Sequence, residues 1–153
     1  MAAMSTALST LPADTPFTNP LGGLLGYQLR RASAAMLADL SETLVDLALT
    51  VTEVSILLQI EANPDITQSD IGRILAIKRA NMAPMTAALQ DRGFLDRVAA
   101  DGRSQALRLT AEGRAICQDI RARIARHEAR FLPDISPAER EALIETLARI
   151  WAG

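Results

Sequence analysis

The chain has 153 residues, with 16 Lys and Arg against 18 Asp and Glu for a net charge of −2, one Cys, one His and five aromatic residues. That length suits one domain with an appended oligomerisation element, and 49% hydrophobic with 22% charged residues excludes a disordered or collagen-like chain. A single Cys excludes an intrachain disulfide framework and a thiolate-rich zinc site, and the acidic balance argues against nucleic acid if the charge is spread evenly.

The first basic residue is Arg30, so no basic stretch precedes an apolar one and a secretory signal is not expected. The longest apolar stretch, Leu44 to Ile60, contains Asp46 and Glu53, too many charges for a span of about 20 apolar residues. A cytoplasmic protein without membrane contact is expected.

Residues 1–20 carry Pro12, Pro16 and Pro20 among small and polar residues and read as a flexible arm. From Leu25, apolar residues at Leu29, Ala32, Met36, Leu40, Leu44 and Leu47 predict one long helix with an apolar side that needs a partner. Thr50 with Glu53 reads as a capping box opening a second helix to about Ile60, with Val54, Leu57 and Leu58 inward. Thr67 with Asp70 repeats the signature for a short third helix. A fourth starts at Lys78-Arg79-Ala80-Asn81 and runs to Arg92, where Gly93 supplies a left-handed C-cap. Phe94–Val98 and Ala106–Leu109 then alternate apolar with polar residues around Asp101-Gly102, the pattern of a two-stranded hairpin. Thr110 caps a fifth helix with Ile116, Ile120 and Ile124 on one side, Pro133 breaks it, and Ser136-Pro137-Ala138-Glu139 opens a last helix carrying Leu143, Ile144, Leu147, Ile150 and Trp151.

The fold class that follows is mainly α with a small β-hairpin wing: a winged helix-turn-helix between long N- and C-terminal dimerisation helices. The helix-turn-helix lies at Gln68 to Met85, with Ile71, Leu75, Ile77, Met82 and Met85 in its apolar places. Gly72 is small at the helix crossing, and Ala76 is small at the turn, where glycine is more usual. Lys78 and Arg79 offer cations for phosphates, Asn81 an amide for adenine and Ala80 a methyl for thymine.

Lys78-Arg79-Ala80-Asn81-Met82, then Arg92-Gly93-Phe94-Leu95, then Asp101-Gly102-Arg103-Ser104-Gln105-Ala106-Leu107-Arg108-Leu109-Thr110-Ala111-Glu112-Gly113, resembles the MarR family of winged helix-turn-helix transcriptional regulators. The last string is the family's most recognisable feature, and the resemblance covers roughly residues 22 to 152. It implies a homodimer that binds a pseudo-palindromic operator in double-stranded DNA, most often as a repressor. It places Lys78, Arg79, Ala80, Asn81 and Met82 toward the major groove and Thr67, Gln68 and Ser69 near phosphates. Arg103, with Ser104 beside it, matches the wing-tip arginine of the minor groove, and Asp101 matches the acidic residue that orients a wing arginine, with Arg97 the nearest partner. Only three residues separate Arg97 from Asp101, which makes the wing short, and Pro84 removes an amide donor early in the recognition helix. Family members commonly release DNA on binding small aromatic acids or related compounds. Here that crevice would be lined by the first, second and fifth helices, with Tyr27, Arg30 and Arg31 as anion or ring contacts.

The domains expected are a flexible arm at 1–20, a dimerisation region at 21–49 with 111–153, and a DNA-binding domain at 50–110. Two other readings stand beside this one: a helical dimer acting through a protein partner without DNA, and an oxidant-sensing repressor using Cys117. Cys117 adjoins an isoleucine stripe, where a buried small hydrophobe is the simpler assignment, and His127 alone makes no metal site. Gly22, Gly23 and Gly26 lack the strand and lysine of a nucleotide loop, and no catalytic constellation or cofactor is expected. By segment, residues 67–110 hold seven basic and four acidic residues, whereas residues 1–66 hold two and seven. The acidic total therefore averages a basic lobe with an acidic helix pair.

Overall fold

A computed structural model describes residues 18–99 and 105–152 of the chain. The order is α1 (Leu25–Thr43), a 3-10 turn (Val45–Leu47), α2 (Val51–Ala62), α3 (Gln68–Ile74), α4 (Arg79–Asp91), β1 (Leu95–Ala99), β2 (Gln105–Leu109), α5 (Ala111–Phe131) and α6 (Pro137–Ala152). The first 17 residues and the Asp101-Gly102 turn lie outside the described residues.

Local chemistry starts most of the helices. The Thr50 hydroxyl accepts from the Glu53 amide at 3.2 Å while the Glu53 carboxylate accepts from the Thr50 amide at 2.8 Å, and Thr67 with Asp70 does the same for α3. Ser136 and Glu139 repeat the box at α6, and Thr110 accepts from Gly113 N at α5. The ends of α3 and α4 share one device. Ile77 N donates to Gly72 O at 2.8 Å and Phe94 N to Leu89 O at 3.0 Å, the long bond of a Schellman motif, with Ala76 (φ 53°) and Gly93 (φ 76°) left-handed at the turn.

The first helix is shorter than its apolar spacing predicts. It stops at Thr43 instead of running through Leu47. The cause lies 80 residues away: Arg123 of α5 donates to Thr43 O at 2.8 Å and grips Asp46 with two bonds of 2.6 and 2.8 Å. Leu44 then closes with an i→i−3 bond to Ser41 O, and the chain turns through Ala48 at φ 48°.

The core sits where α2 and α5 pack against the hairpin and the α3–α4 pair. Leu44, Ile56, Leu57, Ile71, Met82, Leu89, Leu95, Leu107 and Ile120 are each fully buried there, worth about 1.5–3 kcal/mol apiece relative to exposure. Cys117 is buried with them, and its thiol is pushed up to about 11 by that burial and by nearby Glu61, leaving negligible thiolate near neutrality. The hairpin pairs antiparallel with Leu95 opposite Leu109 and Arg97 opposite Leu107. Leu107 N also donates to Ile66 O at 2.9 Å, and Thr67 bridges to Ala106, so the chain entering α3 is fastened to the wing.

One junction admits only glycine. Thr110 donates its hydroxyl to Gly93 O at 2.6 Å and its amide to Phe94 O at 3.1 Å, which draws the first turn of α5 onto the α4–β1 turn. A Cβ at Gly113 would stand 1.9 Å from Phe94 O. By contrast α1 and α6 contribute no buried residue, and Leu25, Leu37, Leu143, Ile144, Ile150 and Trp151 are exposed, Trp151 at 80%.

Two substitutions test the backbone account with opposite signs. Gly113→Ala should destabilise the fold by about 3 kcal/mol, because the clash is with backbone that cannot rotate away. Ala76→Gly should stabilise it by about 0.5–1 kcal/mol by relieving a left-handed alanine. Urea midpoints of the two variants against the parent chain check both.

Candidate nucleic-acid interface

Helices α3 and α4 cross at Gly72, where an added Cβ would meet Ile77 O at 3.2 Å and Met82 Cγ at 3.3 Å. The close crossing opens a notch of about 270 Å³ lined by Gln68, Ser69, Arg73 and Arg79 among others. Lys78, Arg79, Ala80 and Asn81 are all exposed at the mouth of α4. Met82, given a groove-facing role by the family pattern, is instead 1% exposed and packs against Gly72, so it is a core residue. Met82, Thr86 and Leu89 form the buried side of α4, which leaves the side with Ala80, Ala83, Pro84 and Ala87 facing out. Pro84 lies within an uninterrupted α4 and is exposed.

Two helices, α1 and α4, begin with no side-chain cap and no acidic residue in the first turn. Helices α2, α3 and α6 begin with a capping hydroxyl and a carboxylate in the first turn, and α5 begins with Thr110 and Glu112. Uncapped α4 begins at Lys78. Its first amides and the helix dipole therefore face outward beside two cations, the arrangement that receives a phosphate.

Thr67 is occupied in the α3 capping box, and Ser69 is exposed one turn into the same surface. Asp70 is held below the ordinary carboxyl value of 3.8 by hydrogen bonds from the Thr67 hydroxyl and amide, aided by Arg73 at 2.6 Å. Arg97 turns inward. Its Nε donates to Gln90 Oε1 at 2.9 Å, Nη2 to Thr86 Oγ1 at 3.0 Å and Nη1 to Gln68 Oε1 at 3.4 Å. Asp101, Arg103 and Ser104 lie outside the described residues. The Arg97–Thr86–Gln68 cluster was not foreseen, since residues 68, 86 and 97 share no sequence spacing.

Tyr27, Arg30 and Arg31 stand together on the first turns of α1, with the two guanidinium groups 5.3 and 6.0 Å from the tyrosine ring centroid. Asn19 Nδ2 lies 3.5 Å from the Tyr27 hydroxyl. Both arginines are exposed, whereas the side-chain ties from α1 to α5 lie toward the other end of α1, where Asp39 meets His127 and Thr43 O accepts from Arg123.

The MarR family model matches residues 49–104, from the start of α2 to the wing. The HTH-type transcriptional repressor Rv2887 of Mycobacterium tuberculosis is 31% identical over 120 residues, covering 76% of this chain and 86% of the relative. The chain belongs to the MarR family. It is accordingly a DNA-binding transcriptional regulator. Solved structures agree in fold. The repressor CouR bound to a 23-mer DNA duplex is 37% identical, with a TM-score of 0.78, over 85% of this chain and 94% of CouR. CouR bound to p-coumaroyl-CoA is 34% identical, with a TM-score of 0.75, over 89% and 97%. A MarR-family regulator from Rhodococcus sp. RHA1, 22% identical with a TM-score of 0.79, shares the fold over 87% of this chain and 96% of its own. Among the described residues, no helix of this MarR-family chain is long and apolar enough to cross a membrane.

The lowered Asp70 carboxyl gives a pH prediction with a definite sign. Its cap stabilises the fold above the ordinary value and is lost as pH falls through the lowered one. The gap in urea midpoint between the parent chain and Asp70→Asn should therefore hold constant well above the ordinary carboxyl value of 3.8 and narrow as pH falls below it.

Proposed function

We propose that this MarR-family protein is a cytoplasmic homodimeric repressor that holds two α4 helices in successive major grooves of a pseudo-palindromic operator and leaves the DNA when a small effector binds. The observation that carries the reading is the open N-terminus of α4, with no side-chain cap and no acidic residue in its first turn, beside the exposed cations Lys78 and Arg79. Lys78 and Arg79 contact phosphates there, Asn81 reads a base edge and Ala80 meets a thymine methyl. Thr67, Gln68 and Ser69 lie along the flanking phosphates, and Asp101, Arg103 and Ser104, between the two strands in sequence, make further DNA contacts. The two helices sit about one DNA turn apart.

Residues 21–49 and 111–153 form the dimerisation region and residues 50–110 the DNA-binding domain. What supports the division is the exposed apolar surface, which apart from Ile74 falls within residues 21–49 and α6, and which a second copy would cover. CouR, whose DNA complex and p-coumaroyl-CoA complex resemble this chain, supports an effector of the aromatic acyl thioester class. Tyr27 would stack on a ring and Arg30 and Arg31 would pair with phosphate or carboxylate groups. No catalytic step is assigned to the protein. Oxidant sensing through Cys117 is disfavoured by the burial of its thiol.

The test is a gel shift against DNA flanking the protein's own gene, repeated across salt concentrations and with p-coumaroyl-CoA or free CoA. Arg79→Ala should weaken operator binding about tenfold or more and reduce the salt slope by about 0.9 for each phosphate contact removed. Binding that ignores salt, or an Arg79→Ala protein that binds as the parent does, contradicts the proposal.

A further inference from the structure

The cluster around Arg97 has a direction built into it. Thr86, fully buried in the middle of α4, has its hydroxyl 2.9 Å from Gln68 Oε1, nearer than the helix carbonyls Met82 O and Ala83 O at 3.1 and 3.2 Å, and receives Arg97 Nη2 at 3.0 Å. Arg97 Nη1 points at the same Gln68 oxygen at 3.4 Å, and Arg97 Nε holds Gln90 on the following turn of α4. Gln68 is the first residue of α3, and the chain just before it is fastened to β2 through Leu107 N and Ile66 O. Two donors converge on Oε1, so that oxygen faces inward. The opposite side of the amide, Nε2, has no acceptor among the described residues.

We infer that Arg97 is a positioning residue for operator binding: with Thr86 it locks the Gln68 amide so that Nε2 presents a pre-oriented donor to a DNA phosphate at the start of α3. The inference rests on the DNA-binding reading above and changes one assignment within it. Arg97 contributes through Gln68 and α4 and does not itself neutralise a phosphate. A freely rotating glutamine would lose rotamer freedom on binding, and its amide would be as often reversed as not. The lock removes that cost before DNA arrives.

The mechanism leaves a signature that a direct contact does not. A neutral amide releases no counterion, so losing it lowers affinity without changing the salt slope. Arg97→Met and Gln68→Ala should each weaken binding to a duplex selected by the parent protein from a random pool. The expected loss is about tenfold per dimer, the worth of one neutral hydrogen bond per subunit. The salt slope should stay at the parent value, and the double variant should be no weaker than the weaker single one, because both remove the same contact. Thr86→Ser should retain parent affinity and Thr86→Val should match Gln68→Ala. That pair also decides the matter if Arg97→Met fails to fold. A slope reduced by about 0.9 per subunit in Arg97→Met would mean a direct phosphate contact, and losses that multiply in the double variant would mean independent roles. Either result overturns the inference. A parent protein that selects no duplex at all instead overturns the DNA-binding reading on which it stands.

Discussion

The geometry of the molecule turns on a contact between two pieces of backbone. At Gly113 the first turn of α5 lies so close to Phe94 O that a Cβ would stand 1.9 Å away. Thr110 fixes the approach by donating to Gly93 O and Phe94 O while capping α5. Because Gly93 is also the left-handed end of α4, one small region joins α4, the hairpin and the long helix α5. The contact is rigid for the same reason that it is intolerant: backbone cannot relax by changing rotamer, so the angle between α4 and α5 is set at the junction.

Arginines extend that rigid joint in both directions. Arg92, at the C-cap of α4, donates to Ala48 O and Leu47 O at 2.6 and 2.7 Å and lies over the Phe94 ring. Arg123 of α5 holds the same segment from the other side through Asp46 and Thr43 O. The link between α1 and α2 is thus gripped by both α4 and α5. Further along, Asp39 of α1 meets His127 Nδ1 at 2.7 Å and pairs with Arg130, and His127 and Arg130 hold the Asp39 carboxyl below its usual range. A displacement of α1 would therefore pull on groups that reach α4 in two steps.

What was legible in the sequence was local. The capping residues Thr50, Thr67, Thr110 and Ser136 begin helices where their spacing predicts, since each cap is satisfied within three residues. The hairpin and the turn at Ala76 are also local, closed by partners 5 to 14 residues apart. The end of α1 was not legible because it is fixed by Arg123, and the inward turn of Arg97 was not because its partners lie 7, 11 and 29 residues away. Met82 fits both an apolar place of the helix-turn-helix and the family's groove-facing string, and the Gly72 crossing decides for the core. The string Leu109-Thr110-Ala111-Glu112-Gly113 could be recognised before its cause was known; the Phe94 contact supplies the cause.

The central claim, that paired α4 helices enter successive major grooves of one operator, is tested most directly by chemical footprinting of the parent protein on its selected duplex. The account predicts two protected patches centred about 10 base pairs apart on the same side of the helix, with guanine N7 shielded in the major groove. A single patch, protection confined to the minor groove, or uniform protection without a boundary would contradict it.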